Sequence, residues 1–285
     1  MPTLYDKIYG CNAAAFGSNS MGDVTEGKSY QQIEELYGLV DRLLPQDKPE
    51  RLEERDWGAP WVRHAHHRPP GMTEDGIERH RLICTAIIEQ GGRIDAWDLA
   101  RVWVRDIHPD HFGYLLGNQD RIIYELLKAG MPPTETGRHA SWPGFIGTAK
   151  MMLPVGLVNA GDPRQAALDA RSLGRIKDAP HRANNYALDV CAGLAAACAE
   201  AMRPQATIEG ILDEAVRQLP LRPRAAVEQG LGWAREVKTV WDLRPLFAER
   251  YRGQPASNAV EVFAAGLAIF SIVGHNTREA ILAGV

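Results

Sequence analysis

Residues 184–202, NNYALDVCAGLAAACAEAM, decide the architecture. Alanine is the strongest helix former, and this alanine-rich run predicts a helix over 184–202. Cys191 and Cys198 stand seven positions apart and therefore share one face of it. The apolar stretch within this helix, near 191–201, is short, and the one at 259–273 is broken by glycine. Neither reaches the roughly 20 apolar residues that a membrane span needs.

Helical signals recur outward from this run, and strand signals do not. Downstream, helices are expected near 207–219, 223–237, 241–251 and 257–273, and Asn276 with Glu279 can start one more. Upstream, Asp162-Pro163 places proline at a first helical position and opens a helix over 163–176. Thr73 can cap a helix to Gln90, where Gly91-Gly92 ends it. Asp95 with Asp98 caps the next, and another spans Gln119–Ala129 before Gly130. Ser29 and Gln32 read as a capping box for a helix through Leu44. Two stretches stay irregular: Pro45–Pro70, a polar surface loop suited to covering a site, and 131–161, rich in glycine and proline. The reading is all-α: a compact single-domain helical bundle over residues 1–285.

Composition narrows the partners. Of 285 residues, 45% are hydrophobic and 24% charged, with a net charge of -4. Such a surface does not favour nucleic-acid phosphates. The four cysteines show no C-x-x-C spacing and no disulfide framework, which fits a reducing, cytoplasmic compartment. The N-terminus carries no basic region followed by an apolar run, so no secretory signal is expected.

Three places hold residues suited to chemistry. Gly22-Asp23-Val24-Thr25-Glu26-Gly27 is either a plain turn with a solvated acid or a turn aiming an acid into a cavity. Met72-Thr73-Glu74-Asp75-Gly76 offers a hydroxyl and two carboxylates at a helix start. These groups serve as caps and dipole partners or as hard oxygen ligands for Mg²⁺ or Ca²⁺. The irregular segment, with Trp142-Pro143-Gly144 and Lys150 through Gly161, is a structural loop or a source of backbone amides for phosphate. His64, His66 and His67, and His108 with His111, read as exposed loop residues or as transition-metal ligands. Trp57, Trp61 and Trp142 can stack on a nucleobase or pack loops onto the core.

Taken together, these motifs resemble the ADP-ribosylglycohydrolase superfamily. Glu26 through Gly38 is similar to its first motif region, Thr73-Glu74-Asp75-Gly76 to its T-D-D-T motif, and Gly274–Val285 to the helix leading into a closing D-x-D-T. The resemblance implies a two-Mg²⁺ centre that hydrolyses N- or O-glycosidic bonds to ADP-ribose or a related ribosyl group. Glu26 and Asp75 would be the catalytic carboxylates. Thr73, Glu74 and Asp75 would be metal ligands. Gly144, Gly147, Lys150, Gly156 and Asn159 would line the substrate pocket. The partner would be an ADP-ribosylated or ribosylated substrate.

Departures from the pattern carry expectations of their own. Glu74 replaces aspartate, Gly76 replaces threonine, and Lys150-Met151 stands where M-R is usual. Nothing after Glu279 supplies the closing carboxylates, so the domain is expected to be incomplete at its C-terminus. These departures favour two alternatives: a catalytically impaired relative acting as a binding or structural protein, or the same scaffold acting on a different glycoside.

Overall fold

A computed structural model describes residues 2–47, 67–109, 112, 116–180, 185–255 and 257–285. Among them are fifteen α-helices. The first half comprises α1 (Leu4–Gly22), α2 (Tyr30–Tyr37), α3 (Asp75–Gln90), α4 (Ala96–Asp106), α5 (Asn118–Lys128), α6 (Pro133–Thr136), α7 (Gly147–Lys150) and α8 (Leu153–Val158). The second comprises α9 (Pro163–Gly174), α10 (Ala187–Ala201), α11 (Ile208–Arg217), α12 (Leu221–Glu236), α13 (Leu243–Arg250), α14 (Ala259–Val273) and α15 (Thr277–Gly284). The only paired strands among the described residues are β1 (Gln46–Asp47) and β2 (His67–Arg68), antiparallel with Gln46 opposite Arg68. The protein is all-α.

Helix α10 is the centre of the bundle and packs against α8, α9, α11 and α14. Its alanines leave little side chain to keep neighbouring backbones apart, and ten of its fifteen residues are buried. Glycines on both sides of its contacts, Gly193 on α10 and Gly156 on α8, exploit this. A Cβ on Gly156 would lie 2.7 Å from the Ala195 carbonyl oxygen, and one on Gly193 would lie 2.9 Å from the Phe263 ring. Leu82, Ile83 and Ala86 of α3 and Leu99, Val102 and Trp103 of α4 extend the same core.

Seven of the fifteen described helices start on a residue whose side chain caps them. Asp95 accepts from the Trp97 and Asp98 amides, Asp162 from Gln165, Asn258 from Val260 and Glu261, and Asn276 from Glu279. Five findings differ from expectation. Helix α3 has Glu74 at its N-cap, with no side-chain cap bond, in place of the Thr73 cap. The helix opened by Ser29 stops at Tyr37 rather than Leu44, because Gly38 turns the chain at φ 64°. The segment 131–161 holds three short helices, α6, α7 and α8. The ends of Pro45–Pro70 are tied together by β1 and β2; residues 48–66, including Trp57, Trp61, His64 and His66, lie outside the described residues. Helix α1 had no periodic signal, since Ser20 is its one buried residue. It docks by polar contacts instead: His80 Nε2 pairs with Asn12 Oδ1 at 2.7 Å, and the Phe16 and His80 rings meet edge to face at 5.9 Å.

Candidate metal centre

The turn after α1 is fixed locally. Thr25 Oγ1 donates to the Gly22 carbonyl at 2.9 Å, Lys28 Nζ to the Val24 carbonyl at 2.7 Å, and Gly27 takes φ 74°, a conformation suited to glycine. With Val24 and Thr25 buried beneath the turn, Asp23 points inward, 4% exposed, and Glu26 stays at the surface. Glu74 arrives from the start of α3. Its amide donates to Asn19 Oδ1 of α1 at 2.8 Å, so a residue 55 positions away caps this helix. Glu74 is 7% exposed.

Carboxylate oxygens of Asp23, Glu26 and Glu74 all lie within 4.8 Å of one another. Three acids this close repel, and a divalent cation relieves the repulsion. An all-oxygen donor set suits a hard ion such as Mg²⁺, Ca²⁺ or Mn²⁺. Glu74 also stands at a helix N-terminus, whose dipole favours negative charge. The residues present therefore fit a divalent metal.

Arginine 68 closes this group from one side. Its Nη1 donates to Asp23 Oδ2 at 3.0 Å and its Nη2 to the Thr73 carbonyl, while Gln46 Nε2 donates to the Asp23 carbonyl. The strand pair delivers both residues.

Asp75, adjacent in sequence, is not in the three-acid group. Arg79 donates to it at 2.8 Å and also to Asp120, which in turn accepts from Lys177. The side chains of Arg79, Asp120 and Lys177 are at most 4% exposed. Burial alone would raise the Asp75 carboxyl. The Arg79 guanidinium, with Lys150 and Lys177 beyond it, overrides burial and holds it at about 2. Burial and the Arg79 charge push the Lys177 ammonium down, against the pull of Asp120.

The 142–150 segment lies against the start of α3. A Cβ on Gly76 would meet Lys150 Cδ at 3.4 Å, and one on Gly147 would meet Arg79 Nη2 at 3.5 Å. Trp142 is 57% exposed and leans on Phe145, ring centroids 5.7 Å apart. Gly144 takes φ 81°, and its amide donates to Asp178 Oδ2 at 3.2 Å. Burial raises the Asp178 carboxyl.

The expected residues thus divide. Glu26 and Glu74 converge, with Thr73 and Asp75 flanking them; Gly147 and Lys150 adjoin the same helix start. The Gly144 amide is spent on Asp178. Gly156 serves the contact of α8 with α10, and Asn159 Nδ2 donates to the Val155 carbonyl at 2.9 Å and to Asp169 at 3.0 Å. Sequence reasoning passed over Asp23, although it precedes Glu26 by three positions in a quoted turn. It also passed over Arg68, Arg79, Asp120 and Lys177; of these only Arg79, four after Asp75 on a helix, carried a local signal. His108 is exposed, and Asp110 and His111 lie outside the described residues.

A helical bundle with acids gathered at the mouth formed by an N-terminal turn and a helix start is the class that fold and site define. The family model described as ADP-ribosylglycohydrolase matches residues 1–285, and the chain belongs to that family, a family of hydrolases. A search of curated proteins finds no match. No helix among the described residues is long and apolar enough to cross a membrane.

Proposed function

We propose that this protein is a Mg²⁺-dependent hydrolase of N- or O-glycosidic bonds to ADP-ribose or a related ribosyl group. The observation that carries the reading is the convergence of Asp23, Glu26 and Glu74. Asp23 and Glu74 are the buried, fixed donors, with Thr73 and Asp75 beside them. Asp23 and Glu74 would hold a divalent ion there, and it would supply Lewis-acid polarisation of sugar oxygens. Glu26, at the exposed edge, accepts the proton of an attacking water. The water oxygen bonds to the anomeric carbon as the glycosidic bond breaks, its electron pair goes to the acceptor, and the acceptor takes up the proton that Glu26 gained. Lys150 offers a positive charge to the diphosphate, and exposed Trp142 offers a ring to the base. Four free cysteines support a cytoplasmic location.

One observation favours the non-catalytic alternative: Arg68 and Arg79 already pair with Asp23 and Asp75. A release assay separates the two readings. ADP-ribosyl-arginine and ADP-ribosyl-serine peptides are incubated with the protein, with Mg²⁺ or with a chelator, and free ADP-ribose is measured. Mg²⁺-dependent release is expected, reduced about 10²–10⁴-fold by Glu26→Gln. No release from either peptide or from a panel of other ribosides would sink the enzyme reading.

A further inference from the structure

Away from the elements that carry the acid cluster, α11 and α12 form the walls and α14 the floor of a groove of about 700 Å³. Ile208, Leu212 and Val216 stand four apart on α11 and give that wall an apolar stripe. Leu231 of α12 and Ile272 of α14 continue it. Leu212, Val216 and Ile272 are half-buried, so part of the stripe faces solvent. Charges stand on both walls: Glu209 and Asp213 on α11, Glu228 and Arg235 on α12. All four are exposed, and none of them pairs with another described residue. We infer that a second copy of this chain docks on the groove, its α12 laid antiparallel on α12.

Glu228 and Arg235 carry the argument. They are seven positions apart, two helical turns, and so lie on one line of α12 about 10.5 Å apart. A helix laid antiparallel on that line sets its Arg235 over Glu228 and its Glu228 over Arg235. The pair is therefore complementary to itself under a two-fold axis, as a symmetric dimer requires. A parallel copy would instead oppose like charges. Gly232 stands between the two on the same face, and no atom lies within 4 Å of where its Cβ would be. Two backbones can approach closely there. Glu209 and Asp213 on the facing wall make the groove net acidic, which favours entry of an arginine. The exposed ion pairs set register and choice of partner and add little affinity. Affinity comes from covering the apolar stripe, and the two-fold axis makes each contact twice.

Sedimentation velocity on the full chain tests this. The wild-type chain is expected to sediment as a dimer that dissociates on dilution. Arg235→Glu and Glu228→Arg each oppose like charges twice. Each alone is expected to be a monomer at the concentration where the wild-type chain is dimeric. Mixed in equal amounts, the two variants regain both opposite-charge pairs and are expected to form a heterodimer. A wild-type chain that stays monomeric at every concentration overturns the inference. A dimer that neither variant weakens, or variants that do not associate when mixed, does the same. Both positions are exposed, and circular dichroism should show both variants folded. If either is unfolded, amide exchange of the wild-type chain at low and high concentration decides. Protection gained on α11 and α12 at high concentration is expected, and protection gained only elsewhere overturns the inference.

Discussion

Asp75 and Arg79, one turn apart on α3, are joined by a 2.8 Å ion pair that connects the mouth of the site to charges inside the protein. Arg79 reaches Asp120, and Asp120 reaches Lys177. An acid at the mouth is thereby anchored to the interior, and the start of α3 is held against α5 and the turn after α9. Removing a link should show in both stability and site geometry.

Asp120→Asn leaves Arg79 and Lys177 buried with one less negative charge between them. Breaking a buried pair this way costs about 3–5 kcal/mol. Urea unfolding should show the loss, and Asp75→Asn, at a partly exposed position, should lose much less. Equal losses would mean that the buried link is not what anchors the helix start.

His80 gives the acid response its sign. Burial lowers its pKa from 6.5 to about 4. The unfolded chain therefore takes up a proton before the folded one does as pH falls. The stability that follows is complete above about 6.5 and is lost between 6.5 and 4, by roughly 3 kcal/mol at most. Urea midpoints at several pH values should fall through this window in the wild-type chain, and the fall should flatten in His80→Gln.

Asn19 acts on Glu74 from another helix. Asn19→Ala removes the cap from the Glu74 amide, at about 1 kcal/mol of stability. If Glu74 binds the cation as proposed, Asn19→Ala should also weaken Mn²⁺ binding about tenfold, because Glu74 loses its orienting partner. Unchanged Mn²⁺ affinity alongside the stability loss would reduce Asn19 to a helix cap.

Gly156→Ala separates packing from substrate binding. The added methyl would press on the Ala195 carbonyl and Cys198, costing about 1–3 kcal/mol by overpacking. The melting temperature should fall while Mn²⁺ affinity and the KM for an ADP-ribosylated peptide hold steady.

Much of the fold was legible in the chain. Ser29, Asp95, Asp162 and Asn276 mark helix starts that the structure keeps, and Gly91 marks an end in the left-handed conformation. Helix α1 was not legible, because its contacts are polar and lie on a helix with almost no buried face. The site was legible in part. Glu26 and Glu74 stand in recognisable motifs, whereas Asp23 and Arg68 acquire meaning only from each other.

What the sequence determined by itself is the helical class, most of the caps and the family resemblance. These follow from spacings of one helical turn, or from motifs read in order, and need no long-range contact. Tertiary structure alone decided which acids meet. Asn19 and Glu74 are 55 positions apart, and Asp23 and Arg68 are 45 apart. The physical reason is that a carboxylate becomes part of a cation site through the position and charge of neighbours on other elements. Packing of α1, the strand pair and α3 sets those neighbours, and no local period in the chain encodes them.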